Sequence, residues 1–171
     1  GGTLLLAAYL GLYVAIWSFA ICTIVARWGL LGWLAAPALW TAQEYALSLG
    51  ELGFPWLLLG HVQSGQTSFV QFASITGVYG VSFWVVLINV LLFLLFYTRS
   101  TQRAVLGVAL VASFVFPWIH ARSVIDRETP EYSLRVALIQ PNLSMEEKWG
   151  RGGVERSLDR LAHLSYETIA E

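Results

Sequence analysis

The charged residues of this chain are concentrated at its end. Up to residue 121 the sequence carries only Arg27, Glu44, Glu51, Arg99 and Arg103, and most of its charged side chains follow. Only 12% of the 171 residues are charged and 57% are hydrophobic, whereas soluble domains carry about 25% charged residues. Because a charge inside a bilayer is costly, the pattern predicts a membrane domain over residues 1–120 and a water-exposed region after it.

Apolar stretches predict four helices that cross the bilayer, whose hydrocarbon core of about 30 Å takes roughly 20 helical residues. They cover residues 3–26, 30–49, 72–97 and 104–119. The fourth is short, and we expect Trp118 to extend it into the interface, where Trp is common.

Arginines in the short loops predict the orientation. Arg27 lies between the first two spans, and Arg99 and Arg103 lie between the last two. The longer loop, residues 50–71, has no Lys or Arg. The positive-inside rule therefore puts the arginine loops in the cytoplasm, and the longer loop and everything after residue 120 on the other side.

The region after residue 120 reads as the beginning of a second domain. A polar linker at 121–133 precedes an apolar run at 134–139 that ends in Gln-Pro-Asn and predicts a β-strand. In the tail, apolar residues such as Val154, Leu158 and Leu161 recur at helical spacing. A strand followed by a helix is typical of an α/β domain. One strand and one helix cannot bury a core, so we expect residues 134–171 to be a truncated start.

Composition argues against several other classes of function. No basic run suggests a nucleic-acid partner. Cys22 is the only cysteine and the three histidines lack ligand spacing, so we expect neither a metal nor another cofactor. We interpret Cys22 as a buried apolar residue of the first span, not as a nucleophile. The chain opens on Gly-Gly-Thr without a charged leader, from which we expect no signal peptide and an internal start in a longer protein.

Two motifs together resemble a known family. RVALIQPNLSMEEKW, which ends at Trp149, is similar to the start of the nitrilase-type carbon–nitrogen hydrolase domain of bacterial apolipoprotein N-acyltransferases, with a strand, Gln-x-Asn and Lys-Trp. EYALSLGELGFPW, from Glu44 to Trp56, resembles the membrane signature of that family, an acidic-aromatic pair nine residues before Gly-Phe-Pro-Trp. The resemblance covers about residues 3–171.

This resemblance implies an eight-span enzyme of the bacterial inner membrane with a periplasmic nitrilase-like αββα domain. Such enzymes move an acyl chain from a phospholipid to the N-terminal amine of a diacylglyceryl-cysteine lipoprotein, through a cysteine thioester and a Glu-Lys-Cys triad. The implied partners are the phospholipid donor, the lipoprotein acceptor and the bilayer. By resemblance the triad should follow Glu171, so we expect no catalytic residue in this chain.

The resemblance also suggests substrate-binding residues in the second region. Trp149 matches a tryptophan that the family needs for activity beside its active site, on a loop after the first strand. Lys148 precedes it and could instead be a solvated surface lysine.

In the membrane region the candidates are Glu44, Phe54, Pro55 and Trp56. Glu44 is the only acidic residue inside a predicted span, where carboxylates are often functional, and it would face either a lipid headgroup or a polar group of another helix. The family commonly has an arginine where Leu47 stands, which removes the expected ion-pair partner. Phe54, Pro55 and Trp56 would either form the floor of the lipid's path to the active site or anchor a re-entrant loop.

Two other functions remain open on the sequence. One is a membrane-tethered nitrilase-fold amidase or an acyltransferase for another amine, and the other is a non-catalytic membrane scaffold. A later strand ending in Trp-Pro-Glu, followed by a Lys and a Cys, would separate the enzymes from the scaffold.

The predicted orientation can be tested with reporter fusions. Fusions after Gly65 and after Arg127 should report the periplasm, and a fusion after Thr101 should report the cytoplasm, because the arginine loops are held inside. A cytoplasmic signal at Arg127 would contradict the acyltransferase hypothesis, because the second domain could not meet its lipoprotein substrate.

Overall fold

The computed structural model describes residues 2–51, 53–125 and 136–170. The chain divides into two units, residues 1–127 and 128–171. The first contains α1 (Gly2–Trp28), α2 (Ala36–Leu47), the short α3 (Thr67–Val70), α4 (Ala73–Tyr97) and α5 (Ser100–Ile125), and the second contains α6 (Met145–Trp149) and α7 (Gly153–Ala170). Further 3-10 helices form at Gly29–Ala35, Pro55–Leu57 and Leu59–Gln63.

Among the described residues, three apolar helical stretches are long enough to cross a membrane. They are Gly2–Leu47, Ala73–Tyr97 and Thr101–Ile125. The stretches predicted as separate spans at 3–26 and 30–49 belong to the first of them. The second predicted span is not one α-helix, because its first part is a 3-10 helix and only the 12 residues of α2 are α-helical.

The first stretch folds back on itself at Gly29. This residue has φ +66°, a conformation that glycine adopts without the penalty that a Cβ imposes. A Cβ on Gly32 would lie 2.9 Å from the Cα of Val25, so the returning chain packs directly on α1. The rings of Trp17 and Trp40 meet edge-to-face at 5.4 Å, which a straight helix could not allow. The two arms therefore form an antiparallel hairpin.

Helix α4 lies at the centre of the first unit and contacts α2, α5 and the 3-10 helix Leu59–Gln63. The buried core joins Ile21 of α1, Ala36 of α2, Leu106 of α5 and three residues of α4, which are Val90, Leu91 and Leu94. Many other large apolar side chains are exposed, as expected for helices whose outer faces meet lipid. Polar side chains within a span often hydrogen-bond to another helix, but Asn89 donates to the carbonyl of Val85 in its own helix at 2.8 Å.

Helix α5 is longer than the predicted span 104–119 and contains Pro117. Proline has no N–H, so the carbonyl of Ser113, four residues earlier, loses its helical donor. The indole Nε1 of Trp84 in α4 donates to that carbonyl at 2.6 Å. The helix therefore continues through the proline to Ile125, into the predicted linker 121–133, whose residues 126–133 lie outside the described residues.

The predicted strand at 134–139 does not form where the structure describes it. Residues 136–139 have no β-ladder, and Leu134 and Arg135 lie outside the described residues. Since a strand exists only through pairing with another strand, an apolar run alone cannot produce one. The predicted tail helix is confirmed as α7.

The hydrogen bond from Trp84 to the carbonyl that Pro117 leaves without a donor predicts that substitutions of these two residues are coupled in stability. Trp84→Phe should destabilise the folded chain by about 1 kcal/mol through the lost hydrogen bond. In a Pro117→Ala background the new backbone N–H can donate to Ser113, so the same substitution should cost less. The measurement is a double-mutant cycle on the free energy of unfolding in detergent micelles. Equal costs in both backgrounds would contradict the assigned role of Trp84.

Candidate functional site

The segment that follows α2 returns at once to the end of that helix. Gly50 has φ +73° and reverses the chain, after which the N–H of Phe54 donates to the carbonyl of Leu47 at 2.8 Å. A Cβ on Gly53 would lie 2.8 Å from the carbonyl oxygen of Ser48. Gly-Phe-Pro-Trp is therefore tied to the end of α2 by its own backbone.

The carboxylate of Glu44 faces inward. Only 4% of this residue is exposed, and its Oε1 accepts two hydrogen bonds, from Trp40 Nε1 at 2.9 Å and from the backbone N–H of Leu59 at 2.7 Å. Of the two environments expected for Glu44, the geometry matches pairing with protein groups. Leu47, at the position of the family's usual arginine, is buried, and Oε2 has no hydrogen-bond partner among the described residues.

A second side chain accepts a hydrogen bond from the next backbone amide, that of Gly60. The N–H of Gly60 donates to Ser82 Oγ in α4 at 2.8 Å, and both residues are buried. A Cβ on Gly60 would lie 2.5 Å from the carbonyl oxygen of Val78, so only glycine allows this approach. We call the pair of acceptors, Glu44 Oε1 and Ser82 Oγ, the amide clamp. Sequence reasoning missed Ser82 and Gly60, although a serine within an apolar span is a signal for such pairing.

Further contacts join the end of α2 to α4 beside the amide clamp. Tyr79 donates its hydroxyl to Ser48 Oγ at 2.9 Å. The rings of Tyr45 and Tyr79 meet edge-to-face at 5.7 Å. Gly77, with φ +67°, interrupts the first turns of α4 just before these contacts.

The three candidate residues of this loop, Phe54, Pro55 and Trp56, differ in their exposure. Phe54 is half-buried and lines an apolar groove of about 440 Å³ together with Leu5, Leu6, Tyr9, Glu51 and Gly53. Pro55 is exposed, and Trp56 is 78% exposed. Phe54 thus contributes to a groove, while Trp56 projects from the protein.

A larger apolar groove of about 770 Å³ lies between α4 and α5. Its lining includes Tyr79, Phe83, Trp84, Phe116 and Pro117. None of the described residues that line it is charged. Such a surface suits a hydrocarbon chain rather than a polar ligand.

In the second unit, a capping box starts α6. Ser144 Oγ accepts from the N–H of Glu147 at 3.2 Å, and the Glu147 carboxylate accepts from the N–H and the hydroxyl of Ser144, each at 2.8 Å. The two hydrogen bonds that the Glu147 carboxylate accepts lower the pKa of this exposed carboxyl, and the bond from the backbone N–H of Ser144 has the larger effect. The positive charge of Arg156 lowers the pKa further.

The remaining two candidate residues, Lys148 and Trp149, lie in the short helix that the capping box begins. Lys148 and Trp149 are the last residues of α6, so Trp149 ends a helical turn and does not lie on the expected loop. Trp149 is 73% exposed, and Lys148 Nζ lies 5.5 Å from the centroid of its ring. The candidate residues therefore fall in both units, with Glu44, Phe54, Pro55 and Trp56 in the first. Cys22 is exposed on α1, not buried as expected.

Three apolar helical stretches among the described residues, each long enough to cross a bilayer, are typical of a multi-pass membrane protein. The chain belongs to the apolipoprotein N-acyltransferase family, because its residues 1–91 match the family model described as the apolipoprotein N-acyltransferase N-terminal domain.

Similar full-length proteins carry the same description. The apolipoprotein N-acyltransferase of Chlorobaculum tepidum is 36% identical over 143 residues, which cover 80% of this chain and 26% of that protein. That of Haemophilus ducreyi is 32% identical over 172 residues, covering 98% of this chain and 32% of that protein. The chain thus spans about a quarter to a third of the length of these relatives. No solved structure matches it significantly.

The lowered pKa of Glu147 predicts a pH dependence of the capping box. A carboxyl whose folded pKa is depressed stabilises the fold above its unfolded pKa, and this contribution is lost as the pH falls through the folded pKa. The amide NMR signal of Ser144 should therefore titrate below the ordinary range of a glutamate. Glu147→Gln is the control and should abolish the titration, whereas a midpoint at the ordinary value would show that the box does not form.

Proposed function

We propose that this chain is the first part of an enzyme that transfers an acyl chain from a phospholipid to the N-terminal amine of a diacylglyceryl-cysteine lipoprotein. The observation that carries the proposal is the match of residues 1–91 to the family model. The relatives named above support it, since each is described as an apolipoprotein N-acyltransferase.

The reaction divides into two acyl transfers. A base takes the proton of a cysteine thiol, and the thiolate attacks an ester carbonyl of the phospholipid. A thioester forms as the ester C–O bond breaks, and the leaving lysophospholipid oxygen takes the proton back from the base to become the alcohol. The lipoprotein amine then attacks the thioester carbonyl, an amide forms, and the amine's proton passes to a base as the thiolate leaves. We assign none of the Glu-Lys-Cys triad to residues of this chain.

Residues of this chain would bind the donor. The apolar grooves at Phe54 and between α4 and α5 offer surfaces for acyl chains. The family implies a location in the bacterial inner membrane, and the arginine loops favour an orientation with the second unit in the periplasm. There Trp149 would pack its exposed indole against the acyl chain and exclude water from the thioester, with Lys148 beside it.

The test uses the full-length protein that contains this chain, with phospholipid labelled in its acyl chain. We expect a hydroxylamine-sensitive acyl-enzyme that transfers its label to a diacylglyceryl-cysteine peptide. Trp149→Ala should lower transfer at least about tenfold, a loss of about 1.4 kcal/mol of transition-state stabilisation. The amount of folded protein, measured alongside, should remain the same if Trp149 acts in transfer, whereas loss of a packing residue would lower it.

Tyr166→Ala is the matched control, since Tyr166 is an equally exposed aromatic residue of the same unit. Absence of an acyl-enzyme in the unaltered protein would refute the proposed reaction. Normal transfer by Trp149→Ala would leave the reaction standing and remove Trp149 from the site.

A further inference from the structure

We propose that the amide clamp positions the loop of residues 53–63 for the phospholipid donor, so that Glu44 and Ser82 are positioning residues for the first acyl transfer. The inference rests on the proposed function and extends it to two residues that lie behind the loop. Neither side chain would touch the substrate, since both are buried under the loop backbone.

The clamp replaces a missing helix cap. The 3-10 helix Leu59–Gln63 begins after Leu58, whose side chain cannot accept a hydrogen bond, so its first N–H groups have no local acceptor. Glu44 from α2 and Ser82 from α4 accept from the first two, those of Leu59 and Gly60. Both acceptors are buried in the protein, where water does not replace a lost partner, so each bond matters more than at a wet surface.

The clamp also fixes which way the loop's side chains point. Leu58 is buried, whereas Trp56, Leu57 and Val62 are exposed on the same short segment. An indole and two aliphatic groups beside membrane-spanning helices match the interface, where tryptophan packs among lipid headgroups and the first methylenes. The occupant we assign to this surface is a membrane phospholipid, held next to the groove that Phe54 lines.

Loss of the clamp should free the loop without unfolding the helices. The core that joins α1, α4 and α5 is built from Ile21, Leu91, Leu94 and Leu106, none of which belongs to the loop. Phe54 keeps its own bond to Leu47. Substitutions at the clamp should therefore act on the loop between residues 55 and 63.

The experiment compares Ser82→Ala, Glu44→Leu and Glu44→Gln in the full-length protein. Ser82→Ala and Glu44→Leu each remove an acceptor and should raise the phospholipid KM for thioester formation about fivefold, the factor expected for one lost hydrogen bond. Transfer from the preformed thioester to the peptide amine should change less than about twofold, because uniform donor binding alone is affected. Glu44→Gln keeps an oxygen acceptor and should behave like the unaltered protein.

Asn89→Ala is the control on α4, since Asn89 bonds within its own helix. Hydrogen exchange gives a readout that does not depend on activity. The backbone amides of residues 55–63 should exchange faster in Ser82→Ala and Glu44→Leu. Their exchange rates should not change in Glu44→Gln and Asn89→Ala.

Three results would overturn the inference while thioester formation by the unaltered protein upholds the proposed function. They are an unchanged donor KM in both acceptor-deleting variants, equal losses in both half-reactions, and a Glu44→Gln variant as impaired as Glu44→Leu. The last would assign the effect to the ionisable carboxyl group and not to the hydrogen bonds. If another protein segment covers Trp56 in place of a phospholipid, Trp56→Ala should deprotect that segment in hydrogen exchange and leave donor KM unchanged. This result would also contradict the inference.

Discussion

A backbone N–H or C=O inside a bilayer has no water to bond, so each interruption of a helix needs a partner from the protein. In this chain side chains of neighbouring helices supply the partners. Pro117 leaves the Ser113 carbonyl without a donor, and Trp84 provides one. The 3-10 helix after Leu58 begins with uncapped amides, and Glu44 and Ser82 accept from them. The packing of α2, α4 and α5 follows from these hydrogen bonds as well as from the apolar core.

The same requirement connects stability with the proposed function. Buried backbone donors need partners from the protein, and the segment that follows Gly-Phe-Pro-Trp obtains them from Glu44 and Ser82. Gly60 can approach α4 only because it lacks a Cβ, and that approach brings its amide to Ser82. Glu44, which has no basic neighbour in its motif, thus binds backbone in place of a counter-ion. A carboxylate within a membrane span can therefore serve the site indirectly.

In the second unit the helix cap comes from neighbouring residues of the same segment. Helix α6 is capped by its own residues, Ser144 and Glu147, which are exposed. Local sequence suffices there because water can meet any group that the cap leaves free. Trp149 is the last residue of this short helix.

The sequence by itself determined the apolar stretches, the amphipathic tail helix and the family, because hydrophobic length, helical periodicity and short motifs are local properties. It also identified Glu44 and the Gly-Phe-Pro-Trp segment as candidates. It did not determine the partner of Glu44, the roles of Ser82 and Trp84, or the reversal at Gly29 that joins two predicted spans into one hairpin. It predicted a strand at 134–139 that is not formed at residues 136–139. Those features depend on groups far apart in the chain: a hydrogen bond from Leu59 to Glu44, or a ladder between two strands, exists only once tertiary packing has brought both partners together.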